Sequence, residues 1–339
     1  MKKNQFLYIL CEENNHLVID YYIRIVAKAF EHSGFNVYPI SRNKLSTIDK
    51  KSLIFVVTSL EFVRCYFKGF RNIVFWSQGV FPEESALLHN NSLIRYIFAG
   101  LIEKFALKKA KMILLVSNTM KDYYEKKYDI SFHNNYYIMP CYNCTIEKTS
   151  FDFENKYINN KFCYVGSLAE WQCFKETAEL YKKIEPLIPN AEFLVCTKDT
   201  QAAAEIINKI GIKKYTVQFV EQALLPSVLA SCKYGFVIRK ESPINQVATP
   251  TKISTYLSNG LIPIVSSNIS EFVQLFNGYN YMILLENDEI DNIIKFTQMQ
   301  ILSENVYHEF SLFFDTYYNT GKHIVNLSNM INKLFVFNN

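Results

Sequence analysis

The feature that most constrains the fold of this 339-residue chain is the alternation of short apolar runs with longer helical patterns. The runs are rich in β-branched and aromatic residues, which is typical of strands, and the stretches between them have the apolar period of amphipathic helices. Because parallel strands require a crossover connection, this alternation predicts βαβ units and mainly parallel, doubly wound sheets. A chain of this length is expected to form two cores of ordinary size.

The alternation occurs twice along the chain. The predicted strands of the first half are 6–11, 36–40, 53–58, 72–76, 112–117 and 136–139. Its clearest predicted helices are 18–32 and 92–109. The predicted strands of the second half are 162–165, 192–196, 216–219, 234–238, 262–265 and 282–284. The predicted helices there are 170–184, 201–210, 224–232, 251–258, 288–302 and 326–334.

These patterns predict an α/β protein with two Rossmann-like doubly wound domains that face a central cleft, and a long helical C-terminus. The predicted divisions are an N-terminal domain 1–145, a linker 146–161, a C-terminal domain 162–310 and a helical segment 311–339. In such sheets ligands collect at the carboxyl ends of the strands, where loops and helix N-termini meet.

Charge is unevenly distributed, although the formal net charge is only +4. Residues 1–150 have 20 Lys and Arg against 13 Asp and Glu, whereas the remaining residues have 16 against 19. A basic first half suits an anionic lipid or a phosphorylated acceptor. We expect no nucleic-acid partner, because the sequence has no nucleic-acid-binding motif.

The eight cysteines have irregular spacing, and several lie in strand-like runs, which favours reduced, buried thiols. Cys141 and Cys144 form a CxxC pair, but a zinc site needs a second pair at suitable spacing, and none follows. We therefore expect no metal site.

The segment 235–264 has the most chemical information. It reads as a buried strand that ends near Arg239, a polar loop, and a helix with Thr249 as its N-cap and Pro250 in its first turn. Lys252 also lies in that first turn, and Asn259-Gly260 ends the helix. Two cations beside a helix N-terminus form an anion site, for which a diphosphate is the natural ligand. The alternative is an ordinary strand, loop and capped helix with a surface arginine.

Three segments carry a resemblance to a known family. The run from Pro250 reads P-T-K-I-x-x-Y-L-x-x-G-x-x-P-I, and 164–168 reads Y-V-G-S-L with Trp171 following. The third segment is 113–120, followed by 136–140. Together they resemble the GT-B glycosyltransferases, specifically the bacterial surface-polysaccharide branch of glycosyltransferase family 4.

The resemblance implies a retaining enzyme that moves a sugar from a nucleotide-sugar donor to a carbohydrate or lipid-linked acceptor. We expect no cofactor, and because the sequence has no Asp-x-Asp to hold a divalent ion, we expect a metal-independent reaction. The resemblance also implies an N-terminal acceptor domain and a C-terminal donor domain. Arg239 and Lys252 would be catalytic by neutralising the diphosphate leaving group. The resemblance places Gly166 and Ser167 beside the donor phosphates, and Ser242 and Asn245 in the donor-sugar pocket. The full set of predicted donor-binding residues is Gly166, Ser167, Arg239, Glu241, Ser242, Asn245, Thr249, Thr251, Lys252 and Thr255.

One departure from the family pattern concerns the nucleotide. Family members have a pair of glutamates, of which the second holds the ribose hydroxyls, and here Val247 and Thr255 stand at those positions. Glu241 could supply a carboxylate from the loop, although it lies outside that spacing. The departure leaves open which donor the protein uses and whether it is an inactive homologue of the family.

In the first half, Gln78, Gly79, Glu83 and Glu84 follow a predicted strand, where an acceptor should arrive. Glu83 is the candidate catalytic base for an acceptor hydroxyl, with Gln78, Gly79, Glu84 and His16 as acceptor-binding residues. The structural alternative, which we favour, is that Pro-Glu-Glu simply starts a helix, with its acids favoured by the helix dipole.

The predicted helix 92–109 has an apolar stripe of Ile94, Ile97, Phe98, Leu101 and Phe105. Basic residues decorate it at Arg95, Lys104, Lys108, Lys109 and Lys111. We expect the stripe to be buried in its own domain and the basic residues to be solvated. The alternative is peripheral contact with an anionic membrane.

Two alternative functions stay open, a nucleotide-sugar epimerase on the same fold and a non-catalytic homologue that acts as a partner subunit. A nicotinamide oxidoreductase is not expected, because no GxGxxG follows a strand. A metal-dependent transferase needs an Asp-x-Asp, which is absent. The protein is expected to be cytoplasmic, with the inner face of the plasma membrane as its alternative location.

Overall fold

The computed structural model describes residues 5–10, 17–286 and 289–336, with the backbone alone for 17–20. The chain forms two compact units, of which the first contains Met1–Cys141 and Asn319–Asn339 and the second contains Tyr142–Tyr318. Each unit has its own sheet of six strands within the described residues. The prediction of two α/β domains with parallel sheets is confirmed.

The first sheet has parallel strands throughout its described part, in the order β2-β1-β3-β4-β5-β6. The strands are β1 (Gln5–Leu10), β2 (Phe35–Ile40), β3 (Leu53–Val56), β4 (Ile73–Ser77), β5 (Met112–Leu115) and β6 (Tyr136–Ile138). All residues of β3, β4 and β5 are buried, because helices cover both faces of a parallel sheet. The strand order reverses between β1 and β3, which is the switch point of this unit.

The first unit's crossovers are helical. These helices are α1 (Leu17–His32), α2 (Ser59–Phe67), α3 (Phe81–Leu88), α4 (Leu93–Lys109) and α5 (Asn118–Tyr128), with a 3₁₀ helix at Arg42–Thr47. Thr58 and Ser117 cap α2 and α5, since their hydroxyls accept from Glu61 N and Met120 N. Such caps satisfy amide groups that a helix start otherwise leaves free.

The second sheet is also parallel in its described part, with the order β12-β11-β10-β7-β8-β9. The strands are β7 (Lys161–Val165), β8 (Glu192–Cys196), β9 (Tyr215–Gln218), β10 (Tyr234–Val237), β11 (Ile262–Ser266) and β12 (Ile283–Leu285). Renumbered within the unit, this is the 3-2-1-4-5-6 order of the Rossmann fold, with its switch point between β7 and β10.

The helices of the second unit run from α6 to α13. They are α6 (Phe174–Ile184), α7 (Thr200–Ile210), α8 (Leu225–Leu229), α9 (Pro243–Val247), α10 (Thr251–Ser258), α11 (Ser270–Leu275), α12 (Asp291–Gln298) and α13 (Ser303–Thr316). The long helix predicted over 170–184 is broken, because Cys173 adopts the left-handed conformation between a 3₁₀ turn at Glu170–Gln172 and α6. Most of α13 had no counterpart among the predicted helices.

The chain then returns to the first unit. Helix α14 (Thr320–Ile331) continues as a π-helical turn over Asn332–Val336. Ser328 Oγ donates to the carbonyl of Ala29 in α1, and the rings of Phe30 and Phe335 lie 6.3 Å apart. The structure thus divides the predicted C-terminal segment 311–339 after residue 318, since contacts with α1 hold α14 and Phe335 in the first unit.

The predicted linker 146–161 packs into the second unit instead of spanning a gap. Phe151 and Tyr157 are buried, and Tyr157 Oη donates to the carbonyl of Gly260 at 2.8 Å. Lys156 Nζ donates to the carbonyls of Ala230 and Asn259 at 2.9 and 2.7 Å. Lys156 and Tyr157 therefore hold the segment by donating to backbone carbonyls, and composition alone does not distinguish such residues from those of a solvated linker.

The expected burial of the apolar stripe of α4 is wrong. Ile94 is 76%, Phe98 67% and Leu101 62% exposed. The face of α4 that packs in the unit contains Ala99, Glu103, Ala106 and Leu107, and it lies against α2 and α3. Two alanines allow close helix approach, and the carboxylate of Glu103 finds tyrosine partners inside, so the larger apolar residues face outwards.

Candidate functional site

The candidate site lies at the switch point of the second sheet, where β7 and β10 are neighbours. Gly166 follows β7 directly, and Arg239 follows β10 after one residue. Loops at this position of a doubly wound sheet diverge to opposite sides and leave a crevice for ligands. The helix α10 begins twelve residues after Arg239 and adds Lys252 to the same place.

Arg239 is fixed at both its backbone and its side chain. Its backbone N–H donates to Ser266 Oγ and its carbonyl accepts from Asn268 Nδ2, each at 2.8 Å. Its guanidinium donates to the carbonyl of Gln172 at 2.9 Å and to the Oε1 of Gln172 at 2.8 Å. Arg239 is only 5% exposed, and burial lowers its pKa. The acceptors of the guanidinium are neutral oxygens, so they do not neutralise the positive charge of Arg239.

Lys252 places a second positive charge beside the first. It is 9% exposed, and its Nζ has no hydrogen-bond partner among the residues that the structure describes. The ammonium lies 4.0 Å from the ring centroid of Tyr164, a cation–π contact. Burial holds the pKa of Lys252 well below its usual value, and the charge of Arg239 lowers it further. An anion at this position would relieve both effects.

Gly166 provides the space for the lysine. Its φ of +144° is one that side chains with a Cβ rarely adopt. A Cβ there would lie 2.7 Å from Lys252 Cε and 2.9 Å from Nζ. The backbone conformation therefore favours glycine here, and the absent Cβ leaves room for the end of the Lys252 side chain.

Tyr256 fixes α10 against the sheet. Its hydroxyl accepts from Val165 N at 3.1 Å and donates to the carbonyl of Phe236 at 3.3 Å. A Cβ on Gly235 would lie 2.5 to 2.7 Å from ring atoms of Tyr256, so glycine permits the close approach of helix and strand. These contacts align the N-terminus of α10, and with it Lys252, with the ends of β7 and β10.

The predicted capping at this helix is wrong in detail. The helix begins at Thr251 with Pro250 as its N-cap, and no side-chain cap is present there. Thr249 is buried one residue before the cap. The carbonyl of Pro250 accepts from Ile253 N at 3.1 Å, so proline serves as the last extended residue and not as the first helical one.

Some of the other predicted donor-binding residues are hydrogen-bonded to the backbone, and others are exposed to solvent. Ser242 caps α9, because its hydroxyl accepts from Asn245 N at 3.3 Å, and Asn245 Nδ2 donates to the carbonyl of Lys240 at 2.9 Å. Glu241 and Ser167 are exposed. The Oγ1 of Thr255 donates to the carbonyl of Thr251 at 3.1 Å.

In the first unit, Pro82, Glu83 and Glu84 form the first turn of α3, as the favoured structural interpretation expects. Glu83 Oε1 accepts from Lys127 Nζ at 2.6 Å and from the hydroxyls of Tyr96 and Tyr123. Its Oε2 is buried without a hydrogen-bond partner in the described part of the chain. Glu83 is therefore held in place, and its role as an acceptor base stays a prediction.

Gln78, Gly79 and Glu84 lie at the carboxyl end of β4. A Cβ on Gly79 would overlap the carboxylate of Glu84, so the two residues are in close contact. Burial and then the neighbouring Glu83 raise the pKa of Glu84. Gln78 Nε2 is buried without a hydrogen-bond partner within the described residues. His16 lies outside the described residues.

A buried carboxylate behind this turn was missed by the sequence analysis. Glu103 of α4 is fully buried, and it accepts from Phe81 N at 2.8 Å and from Tyr124 and Tyr128 hydroxyls at 3.1 and 2.6 Å. Burial raises its pKa to about 7. The sequence feature that could have indicated Glu103 is its position as the sole acidic residue of an otherwise apolar and basic helix.

Gln172, the partner of Arg239, was also missed by the sequence analysis, although it directly follows Trp171 of the quoted motif.

Two properties concern metals and membranes. Across residues 5–10, 17–286 and 289–336, no group of three or more His, Cys, Asp or Glu side chains could hold a metal ion. In the same ranges, no helix is long and apolar enough to cross a membrane.

Several solved structures share this architecture. Sucrose-phosphate synthase from Thermosynechococcus elongatus matches with a TM-score of 0.71 at 11% identity, over 98% of this chain and all (100%) of the synthase chain. Anabaena HepE in complex with UDP and glucose matches with a TM-score of 0.70 at 10% identity, over 97% and 100% of the two chains. An E. coli structure described as trehalose-6-phosphate bound with UDP-2-fluoro glucose matches with a TM-score of 0.65 at 9% identity, over 97% and 99%.

These likenesses define the class of protein by its fold. The chain has the GT-B fold, as the resemblance implied. No family model matches the sequence, and no curated protein matches it significantly. Membership of glycosyltransferase family 4 therefore stays a prediction, and at 9–11% identity the solved structures carry the fold alone.

Proposed function

We propose that the protein is a glycosyltransferase that uses a nucleotide-sugar donor, with the diphosphate held between Arg239 and Lys252. The observation that carries the proposal is the pair of buried cations that have only neutral partners at the switch point of a Rossmann sheet. Two uncompensated positive charges match the two negative charges of a diphosphate diester better than they match a neutral ligand. Neighbouring structures were solved with UDP, which makes a uridine nucleotide the first candidate.

In the proposed reaction, an acceptor hydroxyl oxygen forms a bond to the anomeric carbon of the sugar. The bond between that carbon and the β-phosphate oxygen breaks, and its electron pair leaves with the nucleoside diphosphate. Negative charge develops on the leaving oxygen, where the guanidinium of Arg239 and the ammonium of Lys252 stabilise it. Because these cations supply the positive charge, we propose a metal-independent reaction without a cofactor. The acceptor proton goes to a base, for which Glu83 stays the candidate.

The finer assignments extend the proposal. We propose a carbohydrate or lipid-linked acceptor, a role in surface polysaccharide synthesis at the cytoplasmic side of the membrane, and retention of anomeric configuration, as the family resemblance implies. Ribose contacts would differ from the family pattern, because Val247 is buried and Thr255 bonds to the backbone of its own helix. Glu241 is exposed in the preceding loop and is the alternative ribose ligand.

The test measures donor binding and turnover separately. Titration calorimetry with UDP and with pyrophosphate should detect binding to the wild-type protein, and Arg239→Ala and Lys252→Ala should each weaken it at least about tenfold. Lys240→Ala is the matched control, because Lys240 is an exposed neighbour of Arg239 that pairs with Glu176. Equal UDP binding by the wild type and both alanine variants would refute the proposed site.

A second candidate is a non-catalytic homologue that binds the nucleotide sugar as a partner subunit. It is favoured by the absence of a carboxylate at positions 247 and 255. Release of UDP from a panel of UDP-sugars, with and without acceptors, separates the two. Tight donor binding without turnover across acceptors would support the subunit role.

A further inference from the structure

The outward face of α4 departs from ordinary burial, because it exposes large apolar side chains. Ile94, Ile97, Phe98 and Leu101 are spaced three and four residues apart, so they lie on one side of the helix. All four are more than half exposed, and Leu93 beside them is as well. Soluble monomers rarely leave a contiguous apolar patch of this kind open unless it binds something.

The patch continues onto α2. Phe105, the next residue of the stripe, stacks on Phe67 of α2 with ring centroids 6.0 Å apart and an interplanar angle of 8°. Phe67 is itself 78% exposed. The two helices therefore present one apolar surface, which we call the α4 face and define by Phe67, Leu93, Ile94, Ile97, Phe98, Leu101 and Phe105.

The charged residues of α4 indicate which kind of partner the α4 face binds. Lys108 and Lys109 are exposed and lie seven and eight residues after Leu101, which places them at the C-terminal end of the stripe. Lys104 flanks the stripe, and Arg95 lies exposed near its start. The sole carboxylate of this fully described helix is Glu103, and it is buried on the opposite face. The outward side of α4 thus combines apolar side chains with positive charge alone.

We propose that the α4 face docks the protein on an anionic lipid bilayer, with the helix lying in the plane of the interface. A helix of 17 residues is about 25 Å long, which suits lying in the interface. Apolar side chains enter the boundary between headgroups and acyl chains, and the lysines contact anionic headgroups. A second copy of the chain fits less well, because it brings the same excess of positive charge to the contact.

Docking extends the proposed function, because it would bring the first unit to a lipid-linked acceptor. It does not depend on the donor site, which lies in the other unit and is measured by UDP affinity. Vesicle binding can therefore fail while UDP binding holds, and the reverse outcome is equally distinguishable.

The test is co-sedimentation of the full chain with phosphatidylglycerol–phosphatidylcholine vesicles and with phosphatidylcholine vesicles. We expect binding to the anionic vesicles at about 0.1 M salt and strong weakening at about 1 M, where the screening length falls from ~10 to ~3 Å. Lys108→Gln with Lys109→Gln should weaken binding about fivefold per lysine. Ile94→Ser with Phe98→Ser should weaken it about tenfold or more.

Matched controls come from the second unit. Lys213→Gln with Lys214→Gln removes another adjacent pair of exposed lysines, and Ile158→Ser removes another exposed aliphatic residue. The controls should bind vesicles like the wild type, and all variants should keep the wild-type melting temperature and UDP affinity. The proposal is overturned if anionic vesicles do not bind at low salt, or if the controls lose as much binding as the α4 variants. It is also overturned if sedimentation velocity shows a dimer that Phe98→Ser dissociates while vesicles stay unbound.

Discussion

Lys252→Met should stabilise the protein and at the same time weaken nucleotide binding. The ammonium of Lys252 is buried without a hydrogen-bond partner among the described residues, and it contacts the ring of Tyr164. Burying an ion costs several kcal/mol after relaxation, and a desolvated cation–π contact returns about 2 kcal/mol of that. Methionine fills a similar volume without a charge. We therefore expect the free energy of unfolding to rise by about 1–2 kcal/mol.

For a unit of this size, that gain corresponds to an increase of about 2–8 °C in melting temperature. In the same variant, loss of a charge-assisted hydrogen bond of about 1.5–3 kcal/mol should weaken UDP binding about 10- to 150-fold. Differential scanning calorimetry without nucleotide gives the first quantity, and titration calorimetry gives the second. Nucleotide must be absent from the melts, because a bound ligand stabilises the fold by mass action.

The matched control is Lys156→Met in the same unit. Lys156 is also buried, and burial lowers its pKa to about 7, but its Nζ donates to the carbonyls of Ala230 and Asn259. Methionine leaves those two acceptors unsatisfied, so this variant should lose about 1–3 kcal/mol. The reasoning is refuted if Lys252→Met melts at or below the wild-type temperature, or if it binds UDP with wild-type affinity.

Three further predictions follow from the buried charges. Gln172→Glu places a carboxylate where an amide oxygen now lies 2.8 Å from the guanidinium of Arg239, so the carboxylate would neutralise that cation. We expect UDP affinity, measured by calorimetry, to fall about tenfold or more. Unchanged affinity would show that Gln172 does not set the charge of the site. Burial holds the pKa of Lys252 low, and an anion beside its ammonium would raise that pKa, so UDP binding should take up a proton at pH values between the two pKa values and weaken as the pH rises through them. Titrations in buffers of different ionisation enthalpy measure the uptake, and heats that do not depend on the buffer across that pH range would contradict it. Burial raises the pKa of Glu103 from 4.5 to about 7, so the protonated form is favoured in the folded state and stability falls as the pH rises between those values. Relative to Glu103→Gln, the wild type should lose about 3 kcal/mol between pH 4.5 and pH 7.5 in urea unfolding, and parallel pH profiles would contradict the assignment.

The strands were the most predictable part of the molecule. β8 and α10 have the predicted bounds, and the other strands differ by one or two residues at their ends. Strands buried on both faces produce continuous apolar runs, which are visible in one sequence. The helices α2, α5 and α9 follow strands closely and have few periodic positions, so their patterns were too short to detect. The start of α3, in contrast, was indicated by Pro82-Glu83-Glu84.

The candidate site was predictable in its cations but not in their surroundings. The sequence placed Arg239, Lys252 and Gly166 near two strand ends, and the fold brings all three together. It did not indicate Gln172 as the partner of Arg239, because that contact joins residues 67 positions apart. Nor did it indicate that Lys252 lacks a counterion, since charge pairing depends on the tertiary structure.

Helix α4 shows the limit of reasoning from apolar pattern alone. An apolar stripe at helical spacing normally faces the core, and here the stripe faces outwards while two alanines and a glutamate face inwards. The inward face is decided by partners that lie far along the chain, in particular Tyr124 and Tyr128 of α5. Those partners stabilise a buried carboxylate that composition would place in solvent.

The most direct test of the central claim is a crystal structure of the protein with UDP. Our account predicts that the diphosphate lies in the crevice between the ends of β7 and β10, with its oxygens within hydrogen-bonding distance of the guanidinium of Arg239 and the Nζ of Lys252. A diphosphate bound elsewhere, with the Nζ of Lys252 still on the ring of Tyr164 and without an anion beside it, would contradict the account.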